Sequence, residues 1–374
     1  MIRPGLKNVV STLLAWSGGA SLIGHMTGKR REPLILGYHR VVEDFESESR
    51  HAIAPLLVSV RTLIGHVEWV SKRFEICSLD DIHSCETRRK GRPPAALTFD
   101  DGYADVFANA FPVLEKMGIP FTVFVTTDLV GREFPFMHDE LYARLSMLLD
   151  RKSPEAVNGV LTGLNIPGVR LAVELPSTAM AYRLTRHMLK TLPRDRVSDV
   201  ITALRDVTDL PDAVMQGARV MDWDMIRALQ RAGVIIGCHS RRHVLLPNED
   251  AEVVREETEG ARAILEEKLG RRVEHFAYPD GAYDEASVEA VARARYRYAY
   301  TVDPTRNYAA GSNLTIPRRM MWERDTKAYG RFSHGLMTCR VNGVFDIGRS
   351  IAGRLEMSES YRQRGPSFAQ RHVR

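Results

Sequence analysis

Closely spaced cysteines are missing from this sequence of 374 residues. The four cysteines, Cys77, Cys85, Cys238 and Cys339, form no CxxC pair. Zinc–thiolate sites use such pairs, and disulfide scaffolds need a higher cysteine density, so we expect neither. Scattered thiols suit a reducing compartment. We therefore expect a cytoplasmic protein, with association with the inner membrane as the alternative.

A long hydrophobic run is also missing. Residues 9–23 are moderately apolar, but serine, threonine and glycine interrupt them, and a membrane span needs roughly 20 apolar residues. No small-x-small cleavage site stands out. Apolar side chains fall near one helical face at Leu6, Val9, Val10, Leu13, Trp16 and Ala20. We predict an amphipathic helix within residues 1–30, which packs on the domain or lies on a membrane; packing is the preferred interpretation.

Acidic residues are scarce near the C-terminus. The formal net charge is +5, and residues 340–374 hold seven arginines against three acidic residues. We predict a basic, flexible tail over residues 336–374, with binding to an acidic surface or polymer as the alternative. Nucleic acid is not expected as a partner, because aromatic residues are not interleaved with the arginines. The oligomeric state stays open.

Helix-like and strand-like segments alternate through most of residues 31–335. The strand-like segments, such as residues 121–125 and 234–238, are continuous apolar runs. Such runs predict an α/β fold with a parallel sheet buried on both faces, as either a barrel or a doubly wound open sheet. Residues from about 134 to 217 break this rhythm and predict a helical insertion on the same domain.

Two adjacent carboxylates, Asp100 and Asp101, follow one of these strands. Like charges this close raise a pKa unless a cation lies between them, and a metal ion would remove the conflict. One aspartate would bind the ion and the other would stay free as a base. His239 and His243 follow another apolar strand and offer further ligands. These residues and Pro279 fall at carboxyl ends of strands, where sites gather in both parallel folds.

Three motifs resemble those of the polysaccharide deacetylases, the NodB-homology group of carbohydrate esterases: TFDDG at 98–102, HSRRH at 239–243 and FAYPDG at 276–281. The opening YHRV at 38–41 resembles the sub-group that includes biofilm poly-N-acetylglucosamine deacetylases. The resemblance covers roughly residues 34–320. It implies a distorted (β/α) barrel and a metal-dependent hydrolase of carbon–nitrogen bonds other than peptide bonds. The expected substrate is an N-acetylated poly- or oligosaccharide that contains N-acetylglucosamine.

The resemblance also implies roles for individual residues. Asp101, His239 and His243 would hold a divalent metal, and Asp100 would be the general base. Zinc suits two imidazoles and a carboxylate, with cobalt and nickel as alternatives. The metal would lower the pKa of bound water toward about 7 and polarise the acetyl carbonyl. The backbone amide of Tyr103 is our candidate donor to the oxyanion.

Two departures from the family pattern concern the base and the acid. Ala277 stands where the family carries an arginine that pairs with the catalytic aspartate, and we expect Arg318 or Arg319 to supply that charge. The late Leu-x-His element that provides the acid in many members is missing. His39, at the end of the first predicted strand, is therefore our candidate general acid.

Further residues are assigned to substrate contact or to the surface. We expect Tyr278 and Pro279 to line a sugar groove, and the substrate-binding residues to include Tyr103, Arg318 and Arg319. His138 and Asp139 are expected on the surface of the insertion, with additional polar contacts at the site as the alternative. Two other functions use the same residues. One is a carbohydrate-binding protein with a degenerate site, and the other is a metal-dependent esterase or amidase on a non-sugar substrate.

Overall fold

The computed structural model describes residues 4–26, 32–83, 91–133, 135–151, 154–163, 176–302 and 312–346. They fall into two compact units. The larger lies within residues 32–325, and the smaller combines the N-terminal residues with those from 326 onward. Each unit is described by itself.

Parallel strands form the core of the larger unit. In chain order they are β1 (Leu34–Tyr38), β2 (Arg40–Val42), β3 (Leu57–Ser59), β4 (Glu75–Ile76), β5 (Pro94–Phe99), β6 (Phe121–Val125), β7 (Ile235–Cys238), β8 (His275–Ala277), β9 (Tyr298–Thr301), β10 (Ile316–Pro317) and β11 (Arg319–Met320). Strands β2 and β3 pair with each other, and the other nine form one sheet in the order β10-β9-β8-β7-β6-β5-β1-β11, with β4 on the start of β5.

This sheet curves into a nearly closed barrel surrounded by helices, which confirms the predicted distorted (β/α) barrel and excludes the open sheet. Strands β1, β5, β6 and β9 are buried along their whole length. Continuous apolar strands form such a barrel because helices cover the outer face while side chains fill the interior.

The first and last strands of the barrel are joined by one extended segment, residues 316–320, which pairs first with β9 and then with β1. Strand β10 pairs with β9, and β11 pairs with β1 two residues later. Arg318 lies between them, and its backbone N–H donates to the Thr301 carbonyl at 2.9 Å. Arg318 therefore occupies the seam between the first and last strands of the barrel.

The helices that the structure describes are, in chain order, α1 (Pro4–Trp16), α2 (Gly19–Met26), α3 (Phe45–Glu48), α4 (Val60–Ser71), α5 (Leu79–His83), α6 (Phe111–Lys116), α7 (Met137–Arg151), α8 (Pro154–Gly163), α9 (Ser177–Thr191), α10 (Arg194–Arg205), α11 (Asp212–Gly217), α12 (Trp223–Arg231), α13 (Ala251–Arg255), α14 (Ala261–Leu269), α15 (Glu285–Arg293) and α16 (His334–Val341). Wider π-helical turns at Val106–Ala110 and Glu256–Gly260 lead into α6 and α14.

Helices α7 to α11 lie in the predicted insertion. Four of them share an apolar cluster of buried residues, which includes Leu145, Val157, Leu184, Met188 and Ile201. The insertion therefore has a core of its own beside the barrel, which explains why its sequence follows a helical period without intervening strands.

The smaller unit differs from its prediction at both ends. Two helices, α1 and α2, replace the single N-terminal helix, because Gly18 takes a left-handed φ of 76° between them. The predicted flexible tail begins instead with α16, in which Leu336, Met337 and Cys339 are buried. Residues 347–374 of that tail lie outside the described residues. A hairpin of β12 (Lys327–Ala328) and β13 (Arg331–Phe332) completes the unit.

The apolar face of α1 does not pack on the protein, contrary to the interpretation that we preferred from the sequence. The apolar side chains of Val9 and Leu13 are exposed, whereas Ser11 on the same helix is buried. Among the described helices, none combines the length and the apolar character that a membrane crossing requires.

Close approach between two barrel strands makes Gly237 a sensitive position. It pairs with Phe124 across β7 and β6, and a Cβ atom at Gly237 would lie 2.6 Å from the Phe124 ring. We predict that Gly237→Ala lowers the free energy of unfolding by about 1–3 kcal/mol, because the ring must shift within a packed core. Urea denaturation measures this value.

Gly159→Ala is the matched control, because open space surrounds that helical glycine in α8. It should leave stability unchanged or raise it by up to about 1 kcal/mol. Equal effects of the two substitutions would contradict the packing argument.

Candidate metal centre

Three predicted ligands meet at the carboxyl ends of two barrel strands. Asp101 follows β5, and His239 and His243 follow β7. The Nε2 atoms of His243 and His239 lie 3.1 Å and 3.4 Å from Asp101 Oδ1. One ligand atom from each residue falls within 4.8 Å of the others. The strand ends thus bring together residues that are separated by more than 130 positions in the sequence.

The donor set fits a divalent cation. Asp101 is buried, and neither of its carboxylate oxygens has an aligned hydrogen bond. The carbonyl of Ala277 lies 2.8 Å from Nδ1 of His239, which places the ring proton on Nδ1 and turns the Nε2 lone pair toward Asp101. Two facing lone pairs repel each other unless a cation lies between them. Two imidazoles and a carboxylate are typical ligands of zinc and related metals.

The electrostatics of the two histidines differ. Burial lowers the pKa of His239 to about 4, so its imidazole is neutral at neutral pH and free to bind a metal. Burial also opposes a charge on His243, but the Asp101 carboxylate outweighs it and raises the pKa of that ring. A cation bound among these residues would take the place of the proton on His243.

Left-handed backbone conformations concentrate at this centre. Of the six non-glycine residues with positive φ in the described part of the chain, four lie here: Asp101 at 73°, Ser240 at 63°, His243 at 60° and Asp280 at 51°. Such conformations cost on the order of 1 kcal/mol each and persist only where the surrounding structure enforces them. Two of these four residues, Asp101 and His243, are candidate ligands in the loops that follow β5 and β7.

A buried glutamate holds the loop that carries both histidines. Oε2 of Glu257 accepts the backbone N–H groups of Arg241 and Arg242 at 2.9 and 2.8 Å, and Oε1 accepts Nε of Arg242 at 2.6 Å. Ser240 Oγ accepts the backbone N–H of His243 at 3.0 Å. The residues between the two histidines therefore position the loop.

Asp100 makes a bidentate ion pair with Arg318. The guanidinium Nη1 and Nη2 atoms donate to Oδ1 and Oδ2 at 2.6 and 2.7 Å, and Nη1 also donates to Thr98 Oγ1 at 3.0 Å. The guanidinium lies 5.1 Å from the ring centre of Phe124 and 5.9 Å from that of Tyr300. Burial alone would raise the pKa of Asp100, but Arg318 outweighs it and holds the pKa below its ordinary value.

Arg318 therefore supplies the charge that is missing at position 277. Arg319, the other predicted source, lies in register with Leu36 on β1. Both arginines are buried and neither lines the cavity at the centre, so the expectation that they bind substrate is not supported. Arg318 is a positioning residue for Asp100.

A cavity of about 130 Å³ opens onto two of the three candidate ligands, Asp101 and His243. His39, Asp101 and His243 form one part of its wall. Tyr278 and Pro279 were expected in that wall, but both are buried, and the Tyr278 hydroxyl donates to the Leu314 carbonyl at 3.0 Å. The left-handed turn at the following residue brings Asp280 to the cavity in their place.

The insertion contributes two buried polar residues that lie beside the centre. His138 and Asp139 were expected on the surface, but both are buried. The Tyr103 hydroxyl donates to Asp139 Oδ2 at 2.7 Å and lies 2.9 Å from His138 Nε2. The rings of His138 and His243 have centres 5.0 Å apart. No motif or spacing distinguishes these two residues in the sequence, since only the docking of α7 brings them here.

Burial disfavours the charged forms of His138 and Asp139 in the Tyr103–His138–Asp139 cluster. Burial lowers the pKa of His138 to about 3, and burial raises the pKa of Asp139 to about 6. Tyr103 has a fully buried side chain, so the substrate contact expected of this residue falls to its backbone amide. Its backbone amide donates no hydrogen bond among those that the structure describes, and it stays our candidate donor to the oxyanion.

The Asp100–Arg318 pair predicts strong thermodynamic coupling. Removing one partner leaves a buried charge, so Arg318→Met and Asp100→Asn should each lower the free energy of unfolding, by about 3–5 kcal/mol for the larger of the two effects. Because the double variant removes both charges, its cost should fall below the sum of the single costs by at least about 1 kcal/mol. Urea unfolding of all four proteins measures the difference.

The exposed pair Arg255 and Glu252 supplies a control cycle, because exposed ion pairs contribute little to stability. Arg255→Met and Glu252→Gln should show additive, small effects. Additive costs in the Asp100–Arg318 cycle would show that the buried pair does not couple as the geometry requires.

Comparisons with solved structures find matches at low sequence identity. Streptococcus pyogenes deacetylase PplD in complex with acetate is 16% identical over 78% of this chain and 92% of that one, with a TM-score of 0.48. IcaB from Ammonifex degensii is 18% identical over 78% and 92%, with a TM-score of 0.49. A de-N-acetylase from Aggregatibacter actinomycetemcomitans is 14% identical over 80% and 97%, with a TM-score of 0.47.

Comparison with curated protein sequences gives no significant match. The sequence model of the polysaccharide deacetylase family matches residues 87–161 and 180–299, which is just over half of the chain. The matched segments contain Asp100, Asp101, His239 and His243. The chain therefore belongs to the polysaccharide deacetylase family, carbohydrate esterases that hydrolyse N-acetyl amide bonds.

Proposed function

We propose that this chain is a metal-dependent deacetylase that removes N-acetyl groups from an N-acetylglucosamine-containing poly- or oligosaccharide. One observation carries the proposal: a buried carboxylate without aligned hydrogen bonds faces two imidazoles, and a second carboxylate with a different partner lies beside it. The YHRV motif supports a place near the poly-N-acetylglucosamine deacetylases. The intact triad argues against a degenerate binding protein.

Asp101, His239 and His243 would hold the metal, with zinc as the best fit and cobalt or nickel as alternatives. A divalent ion there would lower the pKa of bound water and polarise the acetyl carbonyl. The backbone N–H of Tyr103 would donate to the oxygen that becomes negative.

Asp100 would act as the general base. Arg318 keeps it ionised, but the same ion pair lowers its basicity, so Asp100 can take a proton only from an acidified water. Each carboxylate oxygen has a second lone pair beyond the one that faces Arg318. The ion pair thus fixes the orientation of the carboxylate and leaves it able to accept a proton.

His39 would act as the general acid. It follows β1, lines the cavity beside Asp101 and lies within electrostatic reach of both aspartates. From this position the imidazolium would give its proton to the amine nitrogen as the carbon–nitrogen bond breaks.

The insertion would form the substrate wall. Phe136, Met137, Tyr182 and Leu189 present apolar surface to the cavity, and Arg186 lies 3.8 Å from Asp280 at its edge. Apolar side chains suit the methyl group and the carbon–hydrogen faces of a sugar, while the charged pair suits its hydroxyl groups.

Asp100→Asn should abolish acetate release from N-acetylglucosamine oligomers, because the asparagine amide cannot take the proton from water, yet the variant should retain its metal. A His239→Ala, His243→Ala double variant should lose both activity and metal. Acetate assays and metal analysis of purified protein measure these outcomes. His275→Ala, which removes a buried histidine on β8, is the control and should keep the metal. Full activity of Asp100→Asn would refute the assigned base.

His39→Asn should lower kcat for acetate release by about 10²–10⁴-fold with unchanged metal content, since the leaving amine then lacks its acid. An aryl acetate has a leaving group that departs without a proton, so the same variant should lose much less activity on that ester. Steady-state kinetics on both substrates test the assignment. Equal losses on the two substrates would remove His39 from the acid role.

A further inference from the structure

Helix α1 carries an exposed apolar face. Val9, Val10, Leu13 and Trp16 are exposed to 51%, 45%, 58% and 87%. At about 100° per residue these four positions share one side of the helix. Leu22 of α2 adds a fifth exposed side chain, at 60%.

Ser11 lies on the side of α1 that packs against α16. Ser11 is buried, and its carbonyl lies 3.7 Å from the Cys339 sulfur of α16. A Cβ atom on Gly335 of α16 would lie 2.8 Å from Thr12 Cα, so the two helix backbones approach closely. An amphipathic helix of a globular protein normally buries its large apolar side chains, whereas four of those on α1 are exposed.

Exposed large apolar residues are otherwise scattered in the described part of the chain. Met117, Val207 and Tyr329 complete the set, and they lie on three separate elements or turns. A contiguous group on one ordered helix therefore indicates an interaction surface.

The amino-acid sequence that includes α1 is basic, which indicates an anionic partner. Residues 1–31 contain no aspartate or glutamate, and their basic residues are Arg3, Lys7, Lys29, Arg30 and Arg31. Basic residues beside leucine, valine and tryptophan are typical of helices that lie in the interface of an anionic membrane. Tryptophan prefers that interface because its ring is apolar and its N–H is polar.

We infer that helix α1 lies flat on an anionic lipid surface with Val9, Leu13 and Trp16 inserted among the acyl chains. A second copy of the chain fits this face less well. Five side chains on two short helices are far fewer than the roughly 20–30 residues a side that a stable protein interface uses. The inference does not depend on the proposed deacetylase activity.

Vesicle sedimentation of the full-length protein tests the inference. Wild-type protein should sediment with vesicles made of equal parts phosphatidylcholine and phosphatidylglycerol, and bind phosphatidylcholine vesicles more weakly. Leu13→Glu, Trp16→Glu should weaken binding to the anionic vesicles by at least about tenfold, because it removes two inserted side chains and adds two repelled charges. Met117→Glu, Val207→Glu is the matched control, with the same charge change at exposed apolar sites elsewhere.

Two further measurements separate membrane binding from unfolding and from self-association. Circular dichroism and acetate release from a soluble oligosaccharide should be the same for both double variants, which shows that neither change unfolds the chain. Sedimentation velocity without lipid should show the same mass for wild type and Leu13→Glu, Trp16→Glu. Failure of the wild type to bind anionic vesicles, equal loss in the control, or a wild-type dimer that the variant dissociates would overturn the inference.

Discussion

The ion pair between Arg318 and Asp100 connects the closure of the barrel to the chemistry of the site. Arg318 lies where the last segment changes its partner from β9 to β1, and its guanidinium reaches inward to Asp100 at the end of β5. Both groups are buried, so neither charge is tolerable without the other. Phe124 packs against the guanidinium and also fills the space that Gly237 leaves open on the next strand. Packing among β6, β7 and the segment between β10 and β11 therefore holds the Asp100 carboxylate in place.

The same pair explains how two adjacent aspartates can both be ionised. Asp100 turns toward Arg318, whereas the positive φ of Asp101 directs its carboxylate toward His239 and His243. Each carboxylate thus has its own cationic or cation-binding environment. This separation assigns the two residues different chemical tasks, because one is held by a fixed guanidinium and the other is left without aligned hydrogen bonds.

The insertion is a structural part of the centre as well as its outer wall. Tyr103, which directly follows the DDG motif, reaches His138 and Asp139 on α7 through its hydroxyl group. This contact ties the loop after β5 to the insertion, and the ring of His138 then lies against that of His243. Changes within the insertion would therefore alter both the shape of the cavity and the packing against the candidate metal ligand His243.

The sequence by itself determined a parallel α/β fold, the insertion and the residues that converge on the centre, since apolar periodicity and motif order are local properties of the chain. The choice of a barrel over an open sheet came from the resemblance of the motifs to a known family. Only the tertiary structure decided that Arg318 rather than Arg319 pairs with Asp100, because the direction of a side chain depends on the strand register at the seam. It also decided that Tyr278 is buried, that His138 and Asp139 join the centre, and that α1 turns its apolar side outward. Burial depends on which distant elements pack together, and a local sequence pattern does not contain that information.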